Sequence, residues 1–199
     1  TIYRPLPDER GIMQPSRWGA AAAGALLTGS WADFARGVES AAQCVQPKGR
    51  HPIGAHVLHA PSLDWNEENT AHATQLVFDC DGRGGWTRTL ELCKRAGLAF
   101  VLCATSSYQG EVPPRHWHLH IPLVSPFETT TGKSRWRRLY ASICGWLSGV
   151  LRLDGHDLDT RRRCKHDPGL DPTLGRQLCR IIYLGTRMSE ATPALPVEW

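Results

Sequence analysis

Two carboxylates one residue apart, in Asp79-Cys80-Asp81, close an apolar run in the middle of the chain. Residues 74–81 read as a buried β-strand, and positions i and i+2 of a strand project from one face. Two carboxylates held that close repel unless one takes a proton or a cation lies between them. Mg²⁺ or Mn²⁺, with phosphate oxygens completing the shell, resolves such a pair. Strand-to-turn junctions are rich in Asp and Gly in any case, so the pair needs company before it defines a site.

That company is Arg115-His116-Trp117-His118-Leu119-His120. On a strand, His116, His118 and His120 share one face, and Trp117, Leu119 and Ile121 take the other. Three imidazoles in a row rarely fill a core. Neutral they bind metal, and protonated they bind phosphate. Thr105-Ser106-Ser107-Tyr108, just ahead of that strand, offers hydroxyls and backbone amides suited to cradling phosphate, although a plain loop has the same composition. Asp157, Asp159, Asp167 and Asp171 are interleaved with Arg161, Arg162 and Arg163, where surface ion pairing is the plain expectation. Cys164-x-His166 with Cys179, and His156 nearby, make a zinc site conceivable, but the spacing fits no tight Cys-x-x-Cys template.

The elements that must position these residues follow from periodicity and punctuation. Residues 1–15 hold three prolines and read as a strap. Residues 15–27 read as an alanine-dense helix. Ser30 caps a second helix whose apolar positions Trp31, Phe34, Val38 and Ala41 fall at helical spacing. Residues 53–59 read as a strand. The strand at 74–81 ends in the turn Gly82-Arg83-Gly84-Gly85. A helix over 86–96 follows, with Leu90, Leu92, Cys93 and Ala96 inward and Gly97 as its stop. Residues 98–104 form an apolar strand, 105–114 a polar loop, and 115–123 the histidine strand, closed by Pro122 and Pro126. A long basic-faced helix over 133–150, an Arg-rich stretch to residue 177 and a strand over 178–184 complete the core. This order predicts an α/β (α+β) domain, a mixed sheet with helices packed against it.

Composition narrows the function classes. The chain of 199 residues, 41% hydrophobic and 21% charged, has enough apolar surface for a core, so wholesale disorder is not expected. The longest apolar run, residues 20–27, falls far short of the roughly 20 residues a membrane span needs. No basic, then apolar, segment opens the chain, so no secretory signal is expected, and a first residue other than Met suggests a piece of a longer protein. The net charge is +4, and the 23 basic residues comprise 19 Arg and four Lys. Arg135, Arg137 and Arg138 form one cluster and Arg161–Arg163 another, and planar guanidinium groups suit phosphate. Seven cysteines, an odd number, include Cys80, Cys103 and Cys144 inside apolar runs, which points to a reducing cytoplasm and not to a disulfide framework.

In order along the chain, these pieces resemble the archaeo-eukaryotic primase superfamily, in particular the primase-polymerase domains of plasmids, phages and other mobile elements. The resemblance rests on Leu76-Val77-Phe78-Asp79-Cys80-Asp81 as the strand ending in two acids, and on Ala104-Thr105-Ser106-Ser107-Tyr108 as the loop. It continues in Pro114-Arg115-His116-Trp117-His118-Leu119-His120-Ile121-Pro122-Leu123 as the histidine strand, and in Asp171-Pro172 with Arg180-Ile181-Ile182-Tyr183-Leu184 as the late acid and arginine. It covers about residues 74–184. The chain departs from the family pattern in carrying His116 two residues before His118, where Ser is usual. The third acid fits Asp171 best by position, with Asp157 and Asp159 as competitors. His118 is preferred to His120 by counting back from Pro122-Leu123.

The resemblance implies an RRM-like core sheet with an N-terminal α/β unit at 1–60, the whole of 1–199 forming one catalytic domain. It implies template-directed transfer from NTPs or dNTPs, with Asp79, Asp81 and Asp171 holding two Mg²⁺ or Mn²⁺ ions. His118, Arg180, Arg115, Ser106, Ser107 and His120 would bind nucleotide. The two Arg clusters would hold a single-stranded DNA template, and a helicase or helical-bundle domain would lie elsewhere in the longer protein.

Two other readings use the same residues. His118-Leu119-His120 is literally His-hydrophobic-His, the metal-binding motif of HUH replication initiators and relaxases, with Tyr140 as the nucleophile. That reading leaves Asp79, Asp81 and Arg180 without a role. Alternatively, eight tryptophans and 19 arginines suit a non-catalytic module that stacks bases and pairs phosphates.

Overall fold

In the computed structural model of the chain, which describes residues 2–3, 26–27, 30–45, 53–54, 57–59, 70–81, 85–151, 170, 178 and 182–199, the acid strand and the histidine strand pair directly. The described elements run β1 (Ile2–Tyr3), β2 (Leu26–Leu27), α1 (Trp31–Gln43), β3 (Ile53–Gly54), β4 (Val57–His59), β5 (Thr70–Asp81), α2 (Trp86–Arg95), β6 (Val101–Ala104), β7 (His116–Glu128), α3 (Lys133–Leu151), β8 (Ile182–Tyr183) and β9 (Val197–Glu198). They form a small sheet, β2-β1-β3-β8, and a main sheet, β4-β5-β7-β6-β9. The fold is α+β.

All named pairings are antiparallel. Because β5 and β6 are each antiparallel to β7, they run in the same direction, joined through α2 with β7 inserted between them. In this split β-α-β arrangement the two parallel strands are not neighbours, so the named pairings are antiparallel where strand–helix–strand alternation in the sequence suggests a mixed sheet. Its consequence for function is positional: β5 and β6 end at the same edge, where β7 begins.

Period-two alternation assigns the two faces of the main sheet. Leu76, Phe78 and Cys80 of β5, Trp117 and Leu119 of β7 and Leu102 of β6 join Trp86 and Cys93 of α2 and Trp136, Tyr140, Cys144, Leu147 and Leu151 of α3 in the larger core. Fully burying one such apolar side chain contributes about 1.5–3 kcal/mol. On the other face, Val101 and Cys103 of β6 pack with Phe34, Ala35, Val38 and Ala41 of α1 and with Leu184.

The helix ends follow their sequence signals. Ser30 Oγ accepts the Asp33 N–H at 3.2 Å, and the Ser30 N–H donates to Asp33 Oδ2 at 2.8 Å, a capping box that starts α1. α2 begins at Gly85 with φ +83°, a conformation that favours glycine, and the Thr89 hydroxyl donates to the Gly85 carbonyl at 2.8 Å. Gly97, φ +61°, closes it as expected. Ala96 is exposed, not inward, because the helix ends at Arg95.

Several boundaries differ from the sequence reading. Leu26–Leu27 are extended and pair with Ile2–Tyr3, so the alanine-dense helix does not run to residue 27; residues 4–25 lie outside the described residues. The strand read over 53–59 is two strands in two sheets: β3 pairs with β1 and β8, and β4 pairs with β5. Apolar content cannot reveal that a short strand changes partner. β7 does not stop at Leu123 but continues to Glu128. Its pairing with β6 reaches no further than His120, and its register against β5 shifts between Gln75↔Pro122 and Ala73↔Phe127. Pro122 and Pro126 therefore flank an irregular stretch where a missing N–H costs little. The strand read from Leu98 starts at Val101.

Tyr140 shows how α3 is tied to the sheet. Its ring stacks on Phe78 at 5.5 Å, and its hydroxyl donates to the Val77 carbonyl at 2.7 Å in the core. Tyr140→Phe removes that donor and is expected to lower stability by about 1–2 kcal/mol in urea unfolding with an unchanged m value. A neutral substitution would show that the bond contributes nothing net.

Candidate active site

The β5–β7 register sets His118 directly across from Asp79 and His116 across from Asp81. His118 Nε2 lies 3.2 Å from Asp79 Oδ1, with both side chains largely buried. The pair lies on the face opposite the larger core, because Trp117 and Leu119, which alternate with the histidines, are in that core. A buried carboxylate next to an imidazole is held in one orientation and can accept a proton, or a hydrogen bond, from that ring.

The three histidines have three different environments. His116 is half-buried at the strand's start. His118 is 8% exposed, and its Nδ1 is buried with no hydrogen-bond partner among the described residues. His120 is 0% exposed: its Nδ1 meets Gln75 Oε1 at 3.3 Å, and Phe34 of α1 lies against its ring at 5.2 Å. A histidine row that reads as one polar surface is thus graded from the open edge inward, since α1 covers its far end. β6 adds Cys103, the cross-strand partner of His118. Cys103 Sγ and one ring nitrogen from each of His118 and His120 lie within 4.8 Å of one another. Reading residues 98–104 as an apolar strand gave no reason to single out Cys103, because its face is set only by its pairing with β7.

The edge where β5 and β6 end carries the Ser-rich loop. The Thr105 N–H donates to the His116 carbonyl at 3.0 Å, fastening the loop beside the start of β7. Ser106 Oγ accepts from the Thr186 N–H at 3.1 Å, and the Ser107 N–H donates to Thr105 Oγ1 at 3.3 Å. Ser106 therefore tethers the segment leading into β9. Gly185 passes so close there that a Cβ would fall 2.3 Å from the Ala104 carbonyl oxygen. Ser107 and Arg115 are exposed.

The remaining expected residues divide into those placed elsewhere and those outside the described part. Arg135 and Arg138 are exposed and Arg137 is half-buried on α3, the helix covering the opposite face of the sheet from Asp79. Arg135 lies over the Phe127 ring at 5.8 Å. Asp157, Asp159, Asp167, Asp171, Arg161–Arg163, Arg180 and the zinc candidates His156, Cys164, His166 and Cys179 lie outside the described residues. Leu170, which precedes Asp171 in the chain, is described: its backbone bridges Cys80, and its side chain is buried in the larger core. Tyr140, the nucleophile of the HUH reading, is 1% exposed on the face away from His118 and His120.

Burial pushes the Cys103 thiol up to about 12 and the Cys93 thiol up to about 11. At pH 8 a thiol titrating near 12 is ionised on the order of one part in ten thousand. Cys44 is exposed, whereas Cys80, Cys93, Cys103 and Cys144 are buried. Iodoacetamide at pH 8 is therefore expected to modify Cys44 quickly and those four orders of magnitude more slowly, each at the rate of its own local opening, as read by mass spectrometry of digests. Rapid native-state labelling of Cys103 would contradict its placement under α1.

Neither a protein-family model nor a curated protein matches the chain. Among solved structures it is similar to the archaeo-eukaryotic primase domain of the cyanophage S-2L primase-polymerase, with a TM-score of 0.43 and 13% identity over 99% of this chain and 79% of that one. It is also similar to the polymerase domain of Mycobacterium tuberculosis ligase D in complex with DNA, with a TM-score of 0.33 and 20% identity over 53% of this chain and 37% of that one. Both overlays are loose, and the functional reading rests on the residues of β5, β6 and β7.

Proposed function

We propose that the chain is a primase-polymerase catalytic domain of the archaeo-eukaryotic primase type, transferring nucleotides from NTPs or dNTPs to a DNA end under the direction of a single-stranded template. The observation that carries this reading is the cross-strand Asp79–His118 pair, with Asp81 across from His116 at the same open edge. As a donor set, two carboxylates at positions i and i+2 suit a hard divalent cation, Mg²⁺ or Mn²⁺, better than a soft one. Asp79 and Asp81, with Asp171 as the third acid, would hold two such ions. The backbone bridge of Leu170 to Cys80 supports the choice of Asp171 over Asp157 and Asp159. Bound there, the ions would activate a 3′-hydroxyl and stabilise the pyrophosphate leaving group.

The chain's own residues bind and orient. His118 holds Asp79 through Nε2, and the same edge of the ring faces incoming triphosphate. Arg180 and Arg115 would pair with phosphate oxygens, Ser107 and the tethered Ser106 would line the loop beside them, and His120 would support His118 from beneath α1. Arg161–Arg163 and the α3 arginines Arg135, Arg137 and Arg138 would take template phosphates, the α3 group at a distance from the reacting atoms. Template affinity should then fall steeply with salt. Cytoplasmic residence fits the free cysteines, among the described residues no helix is long and apolar enough to cross a membrane, and a helicase or helical-bundle domain would be its partner. The HUH reading is disfavoured by Tyr140, whose hydroxyl is committed to Val77 on the other face.

Primer extension on a single-stranded template tests the proposal. The wild-type chain with Mg²⁺ or Mn²⁺ is expected to extend the primer, and Asp79→Ala or Asp81→Ala to abolish extension while retaining the fold and most template binding. Full extension by either variant would end the two-metal assignment. His118→Ala and Arg180→Ala should raise KM for nucleotide more than they weaken template binding. Products should be free oligonucleotides. Label surviving denaturing electrophoresis on the protein band, and lost in Tyr140→Phe, would favour the HUH reading instead.

A further inference from the structure

We propose that Cys103, His118 and His120 form a second metal site, distinct from the carboxylate site, that takes a Zn²⁺-class transition ion. The donor set is one sulfur and two imidazole nitrogens, which selects Zn²⁺ or Co²⁺ over Mg²⁺. It is built on two paired strands: Cys103 is the cross-strand partner of His118, and His120 follows on the same face of β7. Cys103 Sγ and one nitrogen of each ring lie within 4.8 Å of one another, against the ~3.3–3.5 Å between donors of a tetrahedral site with Zn–S of ~2.3 Å and Zn–N of ~2.0 Å, so the three side chains must draw in to close on an ion. The residues are 1%, 8% and 0% exposed, beneath Phe34.

The surroundings supply what a metal-bound imidazole requires. Histidine ligands commonly present their second ring nitrogen to a carboxylate or carbonyl acceptor, which fixes the tautomer and orients the ring. The same arrangement is within reach here: His118 Nε2 lies 3.2 Å from Asp79 Oδ1, and His120 Nδ1 meets Gln75 Oε1 at 3.3 Å. The metal then takes His118 Nδ1, His120 Nε2 and Cys103 Sγ. His118 Nδ1 is a buried nitrogen with no hydrogen-bond partner among the described residues, and a metal would satisfy it. Binding exchanges the thiol proton for the metal–sulfur bond, and the proton leaves to solvent.

The site also does something for its neighbour. With Nδ1 on the metal, the His118 proton sits on Nε2, so the ring faces Asp79 and the open edge as a hydrogen-bond donor. The soft-metal site thereby positions His118 in one tautomer for the chemistry proposed at the carboxylates. It does not depend on that chemistry.

Cobalt titration tests this on the intact chain. Co²⁺ alone is expected to give a near-ultraviolet sulfur-to-cobalt charge-transfer band, displaced by Zn²⁺. Cys103→Ala should abolish the band, and His120→Gln should weaken Co²⁺ binding about tenfold or more, with the fold checked by circular dichroism. A double Cys164→Ser, Cys179→Ser variant should keep the band, since those thiols are the competing source. No band in the wild type, a band persisting in Cys103→Ala, or a band lost in the double variant would each overturn the site. Should Cys103→Ala fail to fold, the unmutated chain gives a second readout. Zn²⁺ should slow alkylation of Cys103 about tenfold or more beyond any slowing at Cys80, which lies on the opposite face. Equal slowing at both would mean general stabilisation and would overturn the proposal.

Discussion

The pairing of β5 with β7 in one register is the constraint on which the rest depends. Side chains alternate with a period of two, so a one-residue slip would turn every residue of β7 to the other face. Trp117 and Leu119, both fully buried against α2 and α3, would then meet α1, and three imidazoles would enter the larger core. Truncating one fully buried tryptophan costs about 3–5 kcal/mol, so the apolar face enforces the register of the polar one. The placement of His118 across from Asp79 is thus held by its neighbours on the opposite face of the sheet.

The polar face is not uniform, and its gradient organises the chemistry. At the open edge, where β5 and β6 end and β7 begins, lie Asp81, His116 and the Thr105–Ser107 loop. One pleat inward is the Asp79–His118 pair, and one further inward His120 is sealed by Gln75 and Phe34. The carboxylate of Asp79 lies toward the open edge and Cys103 and His120 lie at the dry end, with the ring of His118 between them. α1 matters here as a lid on the dry end, and its capping box starts the helix in a position to serve as one.

Much of this was legible in the sequence because it rests on local periodicity. Asp79 and Asp81 share parity, the histidines alternate with Trp117 and Leu119, Ser30 starts a helix and Gly97 ends one. What could not be read depends on which strand lies beside which. Cys103 looked like one small apolar residue in a strand until its pairing with His118 gave it a side. His120 looked like its two neighbours until α1 was seen to cover it. Residues 53–59 read as one strand because nothing local marks a change of sheet, and Pro122 read as a stop because the open side of β7 was unknown. Gln75, whose amide orients His120, stood out by no motif.

The central claim is that Asp79 and its partners form a centre for divalent cation and nucleoside triphosphate together. Electron paramagnetic resonance titration of Mn²⁺, with and without a non-hydrolysable nucleoside triphosphate, tests it most directly. The account predicts that the triphosphate tightens Mn²⁺ binding by the wild-type chain about tenfold or more, and that Asp79→Asn removes this coupling while the chain stays folded. Mn²⁺ binding that is indifferent to the triphosphate, or equally coupled in Asp79→Asn, would contradict it.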